Sequence, residues 1–205
     1  MKHIIMVLIL LILNINFKTW RRFPGKTPTL IYVTLINFLY YFICQKKLVW
    51  DFKSNSLSIS KVRLLQSFLG TPLITLLCLS GVPHTSAKDK NIYLIICALV
   101  STFFEWVAHK KLNMISFYNG WNIKWSLVIY LQLYFFSYYH TKYPFFTWVL
   151  SILSLEQYIS LFKIPLSPDM LKPASVKNFF ITTFTENYNQ QKTTSGRHAP
   201  VKNLT

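Results

Sequence analysis

Two titratable side chains, Glu105 and His109, stand out as residues that could do chemistry at the end of an apolar stretch. They are four residues apart, so on a helix they lie on one face. A carboxylate beside an imidazole can exchange a proton or supply half of a metal site. The alternative is a simple ion pair between Glu105 and Lys110 or Lys111 at a membrane surface. Because the sequence offers no second Glu/His cluster, we treat the pair as a candidate functional site and predict no metal.

A second unusual segment follows the pair and combines a turn signal with two tryptophans. It comprises Asn119, Gly120, Trp121, Trp125 and Ser126. Asn-Gly favours a turn with positive φ. Tryptophan favours the boundary between lipid and water, where its ring is half buried. The segment therefore predicts an interface and turn motif that fixes the start of the next helix.

The elements that carry these residues are apolar runs. The chain of 205 residues is 52% hydrophobic and 14% charged, against about 25% charged in a soluble domain. Six runs separated by basic residues are candidate spans, at residues 4–17, 27–44, 64–82, 92–107, 125–139 and 145–162. A helix of about 20 apolar residues crosses a bilayer. We predict an all-α, polytopic transmembrane helix bundle with five or six spans.

The first and sixth runs leave alternatives open. Residues 4–17 are short for a span and also resemble the apolar part of a secretory signal peptide, although bulky and basic residues follow Phe17 where a cleavage site needs small ones. Residues 145–162 contain Glu156 and Gln157, so this run either spans the membrane or lies at its surface. The total is therefore five spans or six.

The basic excess lies between the runs. The formal net charge is +16, yet the Lys and Arg residues separate apolar segments and do not form the basic face of a nucleic-acid-binding domain. We therefore expect the partners to be the lipid bilayer and its anionic headgroups, and not nucleic acid. Residues 1–163 form the predicted membrane region. Residues 164–205 are polar and rich in proline, and we predict that they form a disordered tail.

The sequence contains none of the common catalytic motifs, and we predict no catalytic residue. The sequence has no glycine-rich phosphate loop, HExxH or GxSxG motif. The three cysteines, Cys44, Cys78 and Cys97, fall inside apolar runs, where a thiol packs as a small hydrophobic group. We expect no cofactor and lean towards a role other than that of an enzyme.

Residues around the candidate pair also resemble a known family. Glu105, the basic stretch at 109–111 and the Gly120-Trp121 and Trp125-Ser126 pairs resemble uncharacterised small multi-pass membrane proteins of spore-forming low-GC Gram-positive bacteria. The segment at 62–65, Val-Arg-Leu-Leu, resembles that family's entry to a helix. The resemblance covers about residues 60–140. It implies an integral membrane location with several helices, and it implies no activity, substrate or cofactor.

Together these observations predict a multi-pass protein of the cell membrane. A non-catalytic structural or interaction role is the leading hypothesis, because no constellation of polar residues converges in the sequence. The alternative is a small transporter or proton-coupled membrane protein that uses Glu105 and His109.

Overall fold

The computed structural model describes residues 1–44 and 47–166, and within these ranges the chain is mostly helical. Six helices follow one another: α1 (Lys2–Asn16), α2 (Phe23–Ile43), α3 (Ile59–Ser80), α4 (Ala87–Lys110), α5 (Ile123–His140) and α6 (Pro144–Leu161). A 3₁₀ turn, Thr19–Arg22, joins α1 to α2. Each predicted apolar run falls mostly within one helix, and the all-α prediction is confirmed. Residues 167–205 of the predicted tail lie outside the described residues.

The number of spans needs correction. By length and composition, the described residues contain two helices that can cross a membrane, α3 and α4, or three if α1 and the segment Thr19–Ile43 form one broken span. The prediction was five or six. α1 has only 15 residues, and it meets the next segment at a bend of 77°. α5 and α6 have 18 residues each, but their Tyr, Ser and Gln side chains lower the mean hydropathy.

α3 is interrupted by a π-helical turn, Gln66–Gly70, directly before Pro72. Such a turn inserts an extra residue into the helix and is often found at bends or functional positions. Gly70 lies against the side chain of Gln66, because a Cβ built at Gly70 would lie 2.0 Å from Gln66 Oε1. The sequence Gly-Thr-Pro thus lies at the irregular part of the helix.

Two short strands lie outside the helices and were not predicted. β1 (Trp50–Phe52) pairs antiparallel with β2 (Ile115–Phe117), and Trp50 lies opposite Phe117. Asp51 of β1 is buried and accepts hydrogen bonds from the guanidinium of Arg63 in α3, with Nε to Oδ1 at 3.0 Å. This ion pair attaches the two strands to the helices. We call this side of the molecule the strand end.

Hydrogen bonds show which helix ends lie together at the strand end. Lys2 Nζ at the start of α1 donates to Leu112 O, beyond the end of α4. Tyr40 Oη near the end of α2 donates to Trp50 O. Lys47 Nζ donates to Phe162 O, directly after α6. The starts of α1, α3 and α5 and the ends of α2, α4 and α6 are therefore close to the strands in space or in sequence.

The remaining helix ends meet on the other side. The Arg22 guanidinium donates to the carbonyl of Ser80 at the end of α3. Thr29 Oγ1, in the second turn of α2, lies 3.2 Å from Nδ1 of His140 at the end of α5. Because Tyr143 directly precedes α6, that helix also begins on this side.

The bundle buries many small polar side chains beside its apolar core and exposes many large apolar ones. Fully or nearly buried side chains include small polar ones: Ser67, Thr75, Ser101, Ser126, Ser137, Thr147 and Ser151. Large apolar side chains are exposed along α1, α4 and α6, and Phe145 is 81% exposed. Small and hydroxyl-bearing residues are typical of helix contacts within membranes, where apolar side chains face lipid.

Candidate functional site

Glu105 lies near the end of α4 and turns towards α5. The hydroxyl of Ser126 donates a hydrogen bond to Glu105 Oε1 at 2.5 Å. Tyr130, one helical turn further along α5, also lies beside the Glu105 carboxyl group. The carboxyl group is therefore held by neutral hydroxyl groups of a neighbouring helix. It forms no ion pair with the lysines that follow it, since the ion pair between Arg63 and Asp51 is the one found among residues 1–44 and 47–166.

The predicted turn motif extends the same network. Asn119 and Gly120 have φ values of 52° and 87°, and the Asn119 side-chain amide donates to Leu48 O at 2.7 Å. The turn brings Trp121 back towards α5, where its indole Nε1 donates to Ser126 Oγ at 3.2 Å. Ser126 thus accepts from Trp121 and donates to Glu105.

Trp121 and Trp125 belong to an aromatic cluster at the strand end. Trp121 is 8% exposed and packs with Cys44, Val49, Phe162 and Ile164. The ring of Trp125 lies edge-on to the ring of Phe162, with centroids 5.4 Å apart. Both rings therefore pack against the residues that follow α6. This packing fixes the position of Ser126 between them and Glu105.

His109 is close to Glu105 in sequence but has other partners. Its Nδ1 lies 3.0 Å from the carbonyl oxygen of Ile115 in β2. Its ring stacks on Phe117, with centroids 4.2 Å apart and planes inclined by 18°. The described structure contains no hydrogen bond between His109 and Glu105. The imidazole therefore connects the end of α4 to the strands, while the carboxyl group connects α4 to α5.

Glu105 and His109 belong to a longer series that the sequence analysis missed. Polar residues recur every four positions along α4, at Tyr93, Cys97, Ser101, Glu105 and His109. This spacing places them on one helix face. Residues on α5 recur at the same spacing, at Ser126, Tyr130 and Tyr134. The spacing itself was the signal that could have revealed both series.

The two series meet along the contact between α4 and α5. Ser101 Oγ lies 2.5 Å from the hydroxyl oxygen of Tyr134, which is 1% exposed. Cys97 packs with Tyr93 and with Cys78 of α3. We call the contacts of Tyr93, Cys97, Ser101 and Glu105 with their partners on α3 and α5 the polar seam. It runs along most of α4, from its first turns to its last.

The polar seam is closed in the sense that its groups bond to one another. Some buried side-chain nitrogen and oxygen atoms in residues 1–44 and 47–166 have no hydrogen-bond partner, but none of them belongs to the seam. The same residues contain no group of three or more His, Cys, Asp or Glu that could hold a metal ion. The arrangement can therefore join helices tightly, and its one carboxyl group can gain or lose a proton.

Comparisons with known proteins identify no relative. No family model, curated protein or solved structure matches the chain. The resemblance to the bacterial membrane-protein family stays a prediction. Any functional conclusion must therefore come from the site and the fold.

Proposed function

We propose that the chain is an integral multi-pass protein of the cell membrane with a structural or interaction role and without catalysis. The observation that carries this proposal is the large exposed apolar surface beside buried hydroxyl-bearing side chains: Ser137 and Thr147 are buried, while Phe145 and Ile152 are exposed. In water this pattern would expose large apolar surfaces. In lipid it places apolar side chains against hydrocarbon.

The proposal includes six crossings, for which the positions of the helix ends provide support. Successive helices begin alternately at the strand end and at the opposite side. An even number of crossings follows if each helix crosses once. α5 and α6, at 18 residues each, are within the range that spans a bilayer. Basic residues at both ends would contact anionic headgroups.

Protease-site insertion into the full-length chain tests this topology. We would insert a short cleavage site after Lys18, Lys53, Lys90, Lys124 or Lys142, one at a time, and add protease to one side of sealed vesicles. Sites after Lys53 and Lys124 should be cut from one side, and the other three from the opposite side. Cleavage after Lys53 and Lys124 from different sides would refute six crossings, and cleavage of all sites from one side would refute membrane integration.

The polar seam supports the structural part of the proposal. Paired polar groups between membrane helices contribute about 0.6 kcal/mol each on average. The seam contains several such pairs along one helix contact, including Ser101 with Tyr134 and Ser126 with Glu105. Pairs of this kind determine which helices associate and in which register.

A second function, proton coupling, is favoured by the surroundings of Glu105. Its carboxyl group lies within a helix long and apolar enough to span a membrane, and the side chains beside it, the hydrogen-bonded Ser126 and the neighbouring Tyr130, are neutral. A carboxyl group in that setting can carry a proton without separating an ion pair. We would measure potential-driven proton uptake into vesicles that contain the reconstituted protein.

The matched pair of variants for this measurement is Glu105→Gln and Asp89→Asn. Glu105→Gln keeps the size and the acceptor for Ser126 but cannot exchange a proton, so uptake should stop. Asp89 is exposed and accepts a hydrogen bond from the Ser86 hydroxyl at the start of α4, so Asp89→Asn should retain uptake. Uptake that is absent from the unmodified protein, or equal in Glu105→Gln, would exclude proton coupling through this carboxyl group.

A further inference from the structure

Glu156 differs from the other described acidic residues because it has no partner. Asp51 is paired with Arg63, Asp89 with Ser86, and Glu105 with Ser126. For Glu156, no hydrogen bond or ion pair is found within the described part of the chain, and its side chain is exposed. A carboxylate on a membrane helix is costly unless a cation or a proton donor reaches it.

Glu156 lines a groove between α5 and α6. The groove is shallow and open to its surroundings, with a volume of about 510 Å³. Its polar walls also include Gln132, Gln157 and Ser160, and its apolar walls include Val128 and Leu161. The groove thus offers several hydrogen-bond acceptors beside a surface for hydrocarbon.

Hydrogen bonds hold the polar side chains of one wall of the groove, and aromatic rings form another wall. The Tyr158 hydroxyl donates to Gln132 Oε1 at 2.9 Å, and Gln132 Nε2 lies 3.4 Å from Ser154 Oγ. Trp125 lies edge-on to Tyr158, with centroids 6.2 Å apart. These contacts join α5 to α6, so the carboxyl group of Glu156 stands beside a preformed surface.

The position along α6 limits what can reach this carboxyl group. Glu156 is five residues before Leu161, the end of the helix, which corresponds to about 7.5 Å at 1.5 Å per residue. In the proposed topology this depth is close to the lipid headgroups. The ammonium groups of zwitterionic phospholipid headgroups are cations that can reach this depth. In a chain with net charge +16, a lone carboxylate also provides local charge complementarity to such a group.

We propose that the groove binds the headgroup of an aminophospholipid, whose primary ammonium group donates hydrogen bonds to Glu156 and to the neighbouring Ser160 hydroxyl. The acyl chains would then continue along the exposed apolar side chains of α6, including Ile152 and Leu153. A primary ammonium group suits this site better than a quaternary one, because only the former has N–H donors for the acceptors in the groove. This inference rests on the proposed membrane location.

Lipid selectivity of the full-length protein tests the proposal. We would measure the association of spin-labelled phosphatidylethanolamine, phosphatidylcholine and phosphatidylglycerol with the reconstituted protein. Phosphatidylethanolamine should associate roughly two- to fivefold more strongly than phosphatidylcholine, as a charge-assisted hydrogen bond at an exposed site would give. Glu156→Gln should abolish this preference, and Asp89→Asn, which removes a carboxylate elsewhere, should keep it.

A second variant separates loss of the site from loss of charge. Ser160→Trp would fill the groove while keeping Glu156, and it should also abolish the preference. Equal association of the ethanolamine and choline lipids with the unmodified protein, or an unchanged preference in Glu156→Gln, would overturn the proposal. The protease-site experiment reports topology separately, so a failure of lipid selectivity is distinguishable from a failure of membrane integration.

Discussion

The α4–α5 contact of the polar seam and the remainder of α3 bury polar groups in opposite ways. At the α4–α5 contact, Ser126 and Tyr134 have hydrogen-bond partners on α4. In α3, buried atoms of Gln66, Thr75 and Ser80 have no hydrogen-bond partner among the described residues. An unpaired buried polar group costs about 1–3 kcal/mol. The contact between α4 and α5 is therefore stabilised by its polar groups, whereas α3 is destabilised by some of its own.

Helix geometry also differs between α3 and the α4–α5 pair. α4 and α5 continue without a break over 24 and 18 residues. α3 contains the π turn at Gln66–Gly70, within one turn of Pro72. Unpaired groups and a π turn therefore occur in the same helix, and they distinguish α3 from the regular α4–α5 pair.

The largest expected effect comes from emptying the centre of the polar seam. Tyr134 is 1% exposed, and Tyr134→Ala removes its ring, which costs about 3–5 kcal/mol for a large aromatic residue. Tyr134→Phe retains the ring and leaves the hydroxyl of Ser101 without its partner, which should cost about 1 kcal/mol. Thermal unfolding in detergent, followed by tryptophan fluorescence, measures both.

Tyr41→Phe is the matched control for Tyr134→Phe, because it removes a buried tyrosine hydroxyl outside the polar seam. Tyr41 is a buried tyrosine whose hydroxyl has no hydrogen-bond partner within residues 1–44 and 47–166, so Tyr41→Phe should cost less than Tyr134→Phe. If the two Phe variants were equally destabilised, the hydrogen bond in the seam would contribute nothing and the comparison would fail.

An intermediate effect is expected where the seam reaches the end of α3. The hydroxyl of Tyr93 lies against Gly81, so a Cβ at that position would be 2.0 Å from Tyr93 Oη and 2.9 Å from Cζ. Gly81→Ala must therefore displace the rigid ring and its packing against Cys97. Overpacking of this kind costs about 1–3 kcal/mol. The melting temperature should fall accordingly.

The control for Gly81→Ala is the same change in open space. A Cβ at Gly25, in α2, would have no neighbour within 4 Å. Gly25→Ala should therefore stabilise the protein by about 0.5–1 kcal/mol through the helix propensity of alanine. A melting temperature for Gly81→Ala as high as that for Gly25→Ala would show that Tyr93 moves freely and that the seam ends before it.

The sequence predicted the elements better than their contacts. Apolar runs predicted the positions of all six helices, because hydrophobic patterning is local. The strands could not be found in this way: Trp50–Phe52 and Ile115–Phe117 have three residues each and pair across more than 60 positions. Such pairing depends on how the helices around them pack.

The candidate site was predicted only in part, because its contacts also join residues that are far apart in the sequence. The sequence singled out Glu105 and Ser126 separately, but it did not predict that they would bond to each other. It grouped Glu105 with His109 by their spacing, whereas the imidazole lies against β2. Spacing places two residues on one face of a helix, and the identity of the neighbouring helix then decides their partners. That identity is a long-range property.

The smallest effect should come from removing a polar group of α3 that has no partner. Thr75 is fully buried and its hydroxyl is unpaired, so Thr75→Val replaces the hydroxyl by a methyl group of similar size. Because no hydrogen bond is lost and a desolvated group is removed, stability should stay the same or rise by up to about 1 kcal/mol.

Ser126→Ala is the matched change in the polar seam and should instead lower the melting temperature, since Trp121 Nε1 and Glu105 both lose a partner. A drop for Thr75→Val as large as that for Ser126→Ala would mean that Thr75 has a partner in the membrane, and the contrast between the seam and α3 would then be lost.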